Sequence, residues 1–175
     1  MTMLDNIHKP LPMSPNDSNV YTYGDIGPHN VVIACLPSGQ YGTISAAVVA
    51  NNMHWSFPFI QIRLMVGIGG GVPGDGREVD IRLGDIVVSN PVATSPGVVK
   101  YDFGKTMHNG KFERTGSLSK PPPSLLAAVS RLRTEHEIQP SRIPSILADM
   151  EHRYPSITQY FYSYVDYDRL FKAHI

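Results

Sequence analysis

Residues 62–89, IRLMVGIGGGVPGDGREVDIRLGDIVVS, contain the pattern that decides the predicted fold. An apolar run at residues 62–66 leads into four glycines within five positions, and a second apolar run follows at residues 86–88. Short apolar runs bounded by turn residues are typical of buried strands. Glycines at the end of such a strand let bare backbone approach a ligand. Because ligands in open α/β sheets lie beyond the carboxyl ends of strands, the pattern predicts a substrate-binding segment at Gly69, Gly70 and Gly71.

Two familiar glycine-rich motifs do not fit this segment. A dinucleotide-binding fingerprint needs its glycines to open a helix, whereas Val72 replaces the third glycine here and Pro73 follows it. A P-loop needs Lys and then Ser or Thr after its last glycine, and neither is present. A turn shaped only by packing stays open as the alternative.

Composition limits the classes of partner. The 175 residues suit one domain with a substantial core, and 15 basic residues balance 15 acidic ones. This balance argues against nucleic acid or a membrane surface as a partner. The first fifteen residues form no apolar leader, and nowhere do eighteen apolar residues run together, so we expect a cytoplasmic location. The seven histidines are widely spaced, so we expect no metal site, and no cofactor is implied.

The first part of the chain alternates strand and helix patterns. Residues 1–19 are polar and punctuated by proline, which predicts a loosely ordered lead-in. A strand, a turn at residues 27–30 and a second strand at residues 31–36 predict a hairpin. The Ala-rich residues 43–54 predict a helix with Thr43 as its N-cap. Cys35, the only cysteine, lies in an apolar run and is expected to be a buried thiol.

This order predicts an α/β domain with a right-handed parallel crossover. Residues 31–36, 62–66 and 85–89 would lie in one sheet, with the helix at residues 43–54 packed on it. Further along, Asn109 and Gly110 predict a turn between two strands. Helices are predicted at residues 124–137 and 141–153, each with proline near its start.

Three residues outside the glycine segment are further ligand candidates. Ser38 and Gly39 follow a strand and precede a helix, so backbone amides there could contact a ligand. A simple capped turn is equally compatible with the pattern. Asp102, at a predicted strand end in KYDFGK, is the best carboxylate candidate for contacting substrate or a neighbouring subunit. A turn or salt-bridge role is the alternative.

Taken in order, five segments resemble the purine and uridine phosphorylase superfamily, which includes the methylthioadenosine nucleosidases. The chain is most similar there to the nucleoside phosphorylase-like domains of fungal NOD-like receptor proteins. The resemblance implies a mixed, twisted β-sheet flanked by helices and cleavage of the N-ribosidic bond of a purine nucleoside or nucleotide by phosphate or water. It also implies a homo-oligomer, because family sites are usually completed across a subunit interface. The segments are LPSGQYGTISAA (36–47), MVGIGGGVP (65–73), DIRLGDIVVS (80–89), GVVKYDFGK (97–105) and YDRLF (167–171).

The chain departs from the family pattern where phosphate would bind. The positions of the family's phosphate-binding arginine and its following Ser or Thr are occupied by Met65 and Ile68. The resemblance begins after the family's first strand and ends before its base-protonating acid, which implies a partial domain over residues 20–175, incomplete at both ends. No catalytic residue is therefore assigned, and turnover is expected to be impaired. The alternative is a non-catalytic nucleoside-binding or regulatory module.

Overall fold

The computed structural model describes residues 1–71, 81–108 and 110–160, and the side chains as far as residue 157. The chain divides into two compact units. The first comprises Met1–Gly70 with Asp149–Ile157, and the second comprises Gly71–Ala148 with the residues from 158 onward. The assignment of residues 20–175 to one partial domain stays a prediction.

The first unit is built on a three-stranded antiparallel sheet. Strands β1 (Asn6–Ile7), β2 (Tyr21–Ile26) and β3 (His29–Ala34) lie in that spatial order. Ile26 pairs with His29, which leaves a two-residue loop of Gly27 and Pro28 between β2 and β3. Gly27 has φ +54, and a glycine with positive φ at the first loop position matches the right-handed twist of the strands. The predicted hairpin is confirmed.

Part of the segment 1–19 packs against this hairpin. Leu4 is only 2% exposed. The backbone of Asp5 donates to the carbonyl of Asp25 at 2.9 Å, and that of His8 donates to the carbonyl of Tyr23 at 2.8 Å. The expectation of loose order therefore does not describe residues 4–8, because the hairpin edge satisfies their backbone hydrogen bonds.

An aromatic cluster forms the core of the first unit. Tyr21 and Tyr23 are buried on β2, and the ring of Phe57 meets that of Tyr21 edge-on at a centroid distance of 4.9 Å. Phe57 caps the C-terminus of helix α1 (Thr43–Ser56). The helix is thereby anchored to the sheet through its last turn.

Two local predictions in this unit are wrong. The N-cap of α1 is Gly42 rather than Thr43, since Gly42 adopts φ 97, where a β-branched residue would be strained. Cys35 is exposed rather than buried, because it lies one residue beyond the end of β3.

The predicted parallel sheet is also wrong, although the mixed α/β class is confirmed. Residues 62–66 and 85–89 form no strand, and Val66 is 89% exposed. β3 is followed by α1, but no described strand returns alongside β3 to complete the crossover. Apolar runs become buried strands only when neighbouring strands supply hydrogen bonds and cover a face, and no described strand does so here.

The second unit contains a short hairpin and helical segments. Strands β4 (Gly104–Thr106) and β5 (Phe112–Arg114) are antiparallel, and Gly110 has φ +77 in the turn between them. The predicted turn is confirmed at Gly110, while Asn109 lies outside the described residues.

Two helices follow this hairpin where the sequence predicts them. α2 (Pro123–Ile138) begins with proline. α3 (Ile143–Arg153) begins in the second unit, and its residues from Asp149 onward belong to the first unit. A short 3-10 segment, Pro155–Tyr160, follows α3. The YDRLF segment at 167–171 lies outside the described residues. Within the part of the chain that the structure describes, no helix is long and apolar enough to cross a membrane.

Candidate functional site

The predicted glycine segment is open and carries bare backbone. A Cβ atom built on Gly69 or Gly70 would meet no other atom within 4 Å, whereas one on Gly71 would lie 3.0 Å from Cγ2 of Ile81. The backbone N–H groups of these three glycines donate no hydrogen bond to any described residue. Residues 72–80 of the same loop lie outside the described residues. Met65 and Ile68 beside the glycines are also exposed.

Ser38 and Gly39 lie together in one tight turn between β3 and α1. The backbone of Gln40 donates to the carbonyl of Pro37 at 3.0 Å, and Gly39 has φ +77 at the third position of the turn. A positive φ at that position requires glycine in a type II turn. The turn alone thus accounts for Gly39, and the ligand-binding role of both residues stays a prediction.

Asp102 lies in an exposed turn of the second unit. Ser38, Gly39, Gly69 and Gly70 belong to the first unit, and Gly71 begins the second. The predicted site residues are therefore distributed over two units. The structure brings together Ser38 with Gly39 in one turn, whereas the three glycines are simply consecutive in the chain.

A cleft in the second unit was not predicted from the sequence. It has a volume of about 500 Å³ and is formed by residues 94–118, so we call it the 94–118 cleft. Its walls come from a loop before β4, from β5 and from the residues after β5. Gly116 turns the chain at φ +92 next to the ring of Phe103. The polar or aromatic lining residues are Thr94, Ser95, Lys100, Phe103, Arg114 and Ser117.

The charge in this cleft is entirely positive. Lys100 and Arg114 line it, and no carboxylate is among its lining residues. Lys100 Nζ lies 5.3 Å from the centroid of the Phe103 ring, a cation–π contact. Glu113 precedes Arg114 on β5 and so belongs to the opposite face of the hairpin, where its carboxylate lies 4.0 Å from Lys105 Nζ. Two cations therefore share one cleft without a described acidic partner.

Only one of the two parts of the chain that form this cleft stood out in the sequence. Lys100 and Phe103 lie in GVVKYDFGK, a segment that already carried the family resemblance. Arg114 is fourteen positions from Lys100, and only the pairing of Gly104 with Arg114 in the β4–β5 hairpin brings it to the same cleft.

Asp17 is the centre of a hydrogen-bonded cluster in the first unit. Its carboxylate accepts from the hydroxyl of Tyr21 at 2.7 Å, from the hydroxyl of Ser56, and from the backbone of Asn19 at 2.9 Å. Asn19 also donates to the carbonyl of Val49 in α1 at 2.9 Å. Burial raises the pKa of Asp17, but the three hydrogen bonds outweigh it and hold the pKa below its ordinary value. The cluster joins β2 to α1, which is a structural role.

A second carboxylate is held at the sheet edge. Asp25 accepts from the amide of Asn6 at 3.0 Å, and its other oxygen lies 2.7 Å from Nε2 of His8. The bond from Asn6 and the contact with His8 lower the pKa of Asp25. Both partners come from the segment that packs on the hairpin, so this pair also serves attachment. Among the described residues no cluster of His, Cys, Asp and Glu could hold a metal ion.

Comparison with known proteins adds one relative. The chain is similar to a "nucleotide-binding leucine-rich repeat (NLR)-like protein" of Hyaloscypha variabilis. The two are 52% identical over 134 residues, which is 76% of this chain and 13% of the relative. The chain thus spans about an eighth of the relative's length.

This similarity fits the fungal NOD-like receptor part of the resemblance seen in the sequence. It does not show the phosphorylase superfamily. The chain matches no protein-family model. No solved structure matches it either.

Proposed function

We propose that this chain is a nucleoside phosphorylase-like module of a fungal NLR-like protein that binds a purine nucleoside or nucleotide through residues 69–71. The observation that carries the proposal is the glycine segment, in which adjacent backbone N–H groups are unused among the described residues and side chains are absent. Such N–H groups bind anionic or carbonyl oxygens of a ligand. The relative's name includes "nucleotide-binding", which agrees with this class of ligand.

The reaction implied by the resemblance to the phosphorylase superfamily is cleavage of an N-ribosidic bond. The transition state is oxocarbenium-like, so catalysis requires a nucleophile below the sugar and an acid that protonates the departing base. In this chain we propose that binding persists while cleavage is weak. Met65 and Ile68 occupy the positions where the resemblance implies an arginine and a hydroxyl for phosphate. Each lost charge-assisted contact with phosphate costs about 1.5–3 kcal/mol.

Full N-ribosidic cleavage is the second candidate function, and the order of the five family-like segments favours it. Under this alternative water replaces phosphate as the nucleophile. The proposed module needs no cofactor, has a small-molecule ligand rather than nucleic acid or membrane, and acts in the cytoplasm as a homo-oligomer.

Base release distinguishes weak from full cleavage. Adenosine, inosine, methylthioadenosine and ATP are each incubated with the protein, with and without phosphate, and free base is quantified by chromatography. We expect release barely above the protein-free control, because no residue of this chain is assigned as the acid that protonates the base, and general acid catalysis alone is worth roughly two to four decades in rate. We expect no stimulation by phosphate, because the side chains of Met65 and Ile68 cannot donate a hydrogen bond to it.

The control for this assay is Gly70→Val, which places a branched side chain over the backbone without altering any charge. Robust release by the unaltered chain that disappears in Gly70→Val would contradict weak cleavage and establish the enzymatic alternative. Robust release that persists in Gly70→Val would place the site elsewhere and contradict the role of the glycine segment.

A further inference from the structure

We propose that the 94–118 cleft is a separate binding site for a nucleoside monophosphate, with the phosphate held by Lys100 and Arg114 and the flat base packed at Phe103. This goes beyond the proposed function, because the cleft contains none of the three glycines and no role has been given to its residues. The volume of about 500 Å³ is within the usual range for small-molecule sites.

Charge determines the part of the ligand that the cleft would bind. A guanidinium and an ammonium line it, three hydroxyls from Thr94, Ser95 and Ser117 add donors, and no carboxylate lines it. Arg114 makes no hydrogen bond or ion pair with a described carboxylate, and the contact of Lys100 is with an aromatic ring. A phosphate dianion would satisfy both cations, and Arg matches phosphate geometry with two parallel N–H donors.

Shape determines the other part of the ligand. Phe103 is 56% exposed although it lines the cleft, so part of its ring surface can contact a flat group even with Lys100 Nζ 5.3 Å from the ring centroid. Val98, Val99 and Leu118 extend the apolar wall. Gly116 lies against Phe103, where a Cβ would be 3.6 Å from the ring, and its φ of +92 favours glycine at this position. A phosphate joined to an aromatic base therefore fits the lining better than free phosphate does.

The structure itself provides a matched control for the two cations. Lys105 and Arg131 are exposed cations of the same unit that do not line the cleft. Each contacts a glutamate: Lys105 lies 4.0 Å from Glu113, and Arg131 lies 2.7 Å from Glu135. Replacing this pair with alanine removes the same net charge as replacing Lys100 and Arg114.

The experiment is a titration of the protein with AMP, adenosine, inorganic phosphate and phosphotyrosine by calorimetry at low salt. We expect AMP to bind most tightly. Lys100→Ala and Arg114→Ala should each weaken AMP binding about tenfold, and together roughly a hundredfold. Lys105→Ala with Arg131→Ala should change it less than about threefold, because exposed paired cations contribute little. Phe103→Ala should weaken AMP more than inorganic phosphate.

Several results would overturn the assignment. If AMP binds the double variant Lys100→Ala with Arg114→Ala as tightly as the unaltered chain, the cleft is not the site. If the control pair weakens AMP binding by the same factor, the attraction comes from net charge alone and the cleft is not the site either. Tighter binding of phosphotyrosine than of AMP would overturn the nucleotide assignment in favour of a phosphorylated side chain. Lys100→Gln and Arg114→Gln, with helix content checked by circular dichroism, repeat the test with longer side chains.

The two proposals fail separately. If the 94–118 cleft binds no nucleotide, Gly70→Val should still weaken the binding of adenosine. If the glycine segment binds no nucleoside, Lys100→Ala should still weaken the binding of AMP.

Discussion

Gly24 illustrates how single residues join the N-terminal segment to the sheet. It lies in β2 directly beneath the segment that contains Leu4 and Asn6, and a Cβ there would lie 2.7 Å from Cδ1 of Leu4 and overlap the carbonyl of Asn6. Leu4 is only 2% exposed, and the carbonyl of Asn6 belongs to the backbone, so neither contact is at a flexible surface group. Asp17 serves the same purpose on the other side of β2 through its bonds with Tyr21 and Ser56.

Gly24→Ala should lower the free energy of unfolding by about 1–3 kcal/mol, because one added methyl group overpacks a filled contact. Chemical denaturation of the purified chain measures this. Gly67→Ala is the matched control, since a Cβ at Gly67 meets nothing within 4 Å and its φ is not positive. Equal stability of the two variants would show that Leu4 does not pack on Gly24.

The stability of the chain should fall with acid partly through Asp17. Its pKa is lowered in the folded state, so the unfolded state binds protons more readily. The stabilisation is present above the ordinary carboxyl pKa of 3.8 and is lost as the pH falls below it. Urea midpoints measured from pH 6 to pH 3 should therefore decline less steeply for Asp17→Asn than for the unaltered chain. If the urea midpoints of the two proteins decline in parallel, Asp17 makes no such contribution. Some decline is expected in both proteins, because the pKa of Asp25 is lowered as well.

At the scale of elements, the sequence predicts what is determined locally. The β2–β3 hairpin follows from Gly27 and Pro28, and α2 follows from its proline-rich start. The buried strands at 62–66 and 85–89 could not be read in the same way, because a strand depends on partners distant in the chain. For the same reason the sequence did not predict the 94–118 cleft, because only the pairing of β4 with β5 places Arg114 in it with Lys100.

Amide hydrogen exchange tests the corrected element order. Amides of β2 that are bonded to β3 should exchange slowly, since this strand lies in the middle of its sheet. Amides of residues 62–66 should exchange near the unprotected rate, because no described residue accepts their hydrogen bonds. Strong protection of residues 62–66 in the isolated chain would instead restore the predicted parallel strand.

At the scale of the whole molecule, each unit exposes apolar surface. Ile62, Leu64 and Val66 are more than half exposed in the first unit, and Ile86, Val87 and Val88 are likewise in the second. Exposed apolar segments of this kind are common where one protein contacts another. The homo-oligomer stays a prediction, in which a second copy would cover these segments.

Light scattering coupled to size-exclusion chromatography should therefore show a homo-oligomer or larger species at micromolar concentration. Replacing Ile86 and Val88 with serine should shift the mass toward the monomer, since it removes apolar area while leaving no buried group unpaired. A single monomeric peak for the unaltered chain would contradict the predicted assembly.

The most direct test of the central claim, binding without robust turnover at the glycine segment, is equilibrium dialysis of the chain against adenosine. The bound fraction is then chromatographed to separate adenosine from adenine. We expect the unaltered chain to retain adenosine intact and Gly70→Val to retain none. No retention by the unaltered chain, or recovery of the bound fraction as adenine, would contradict it.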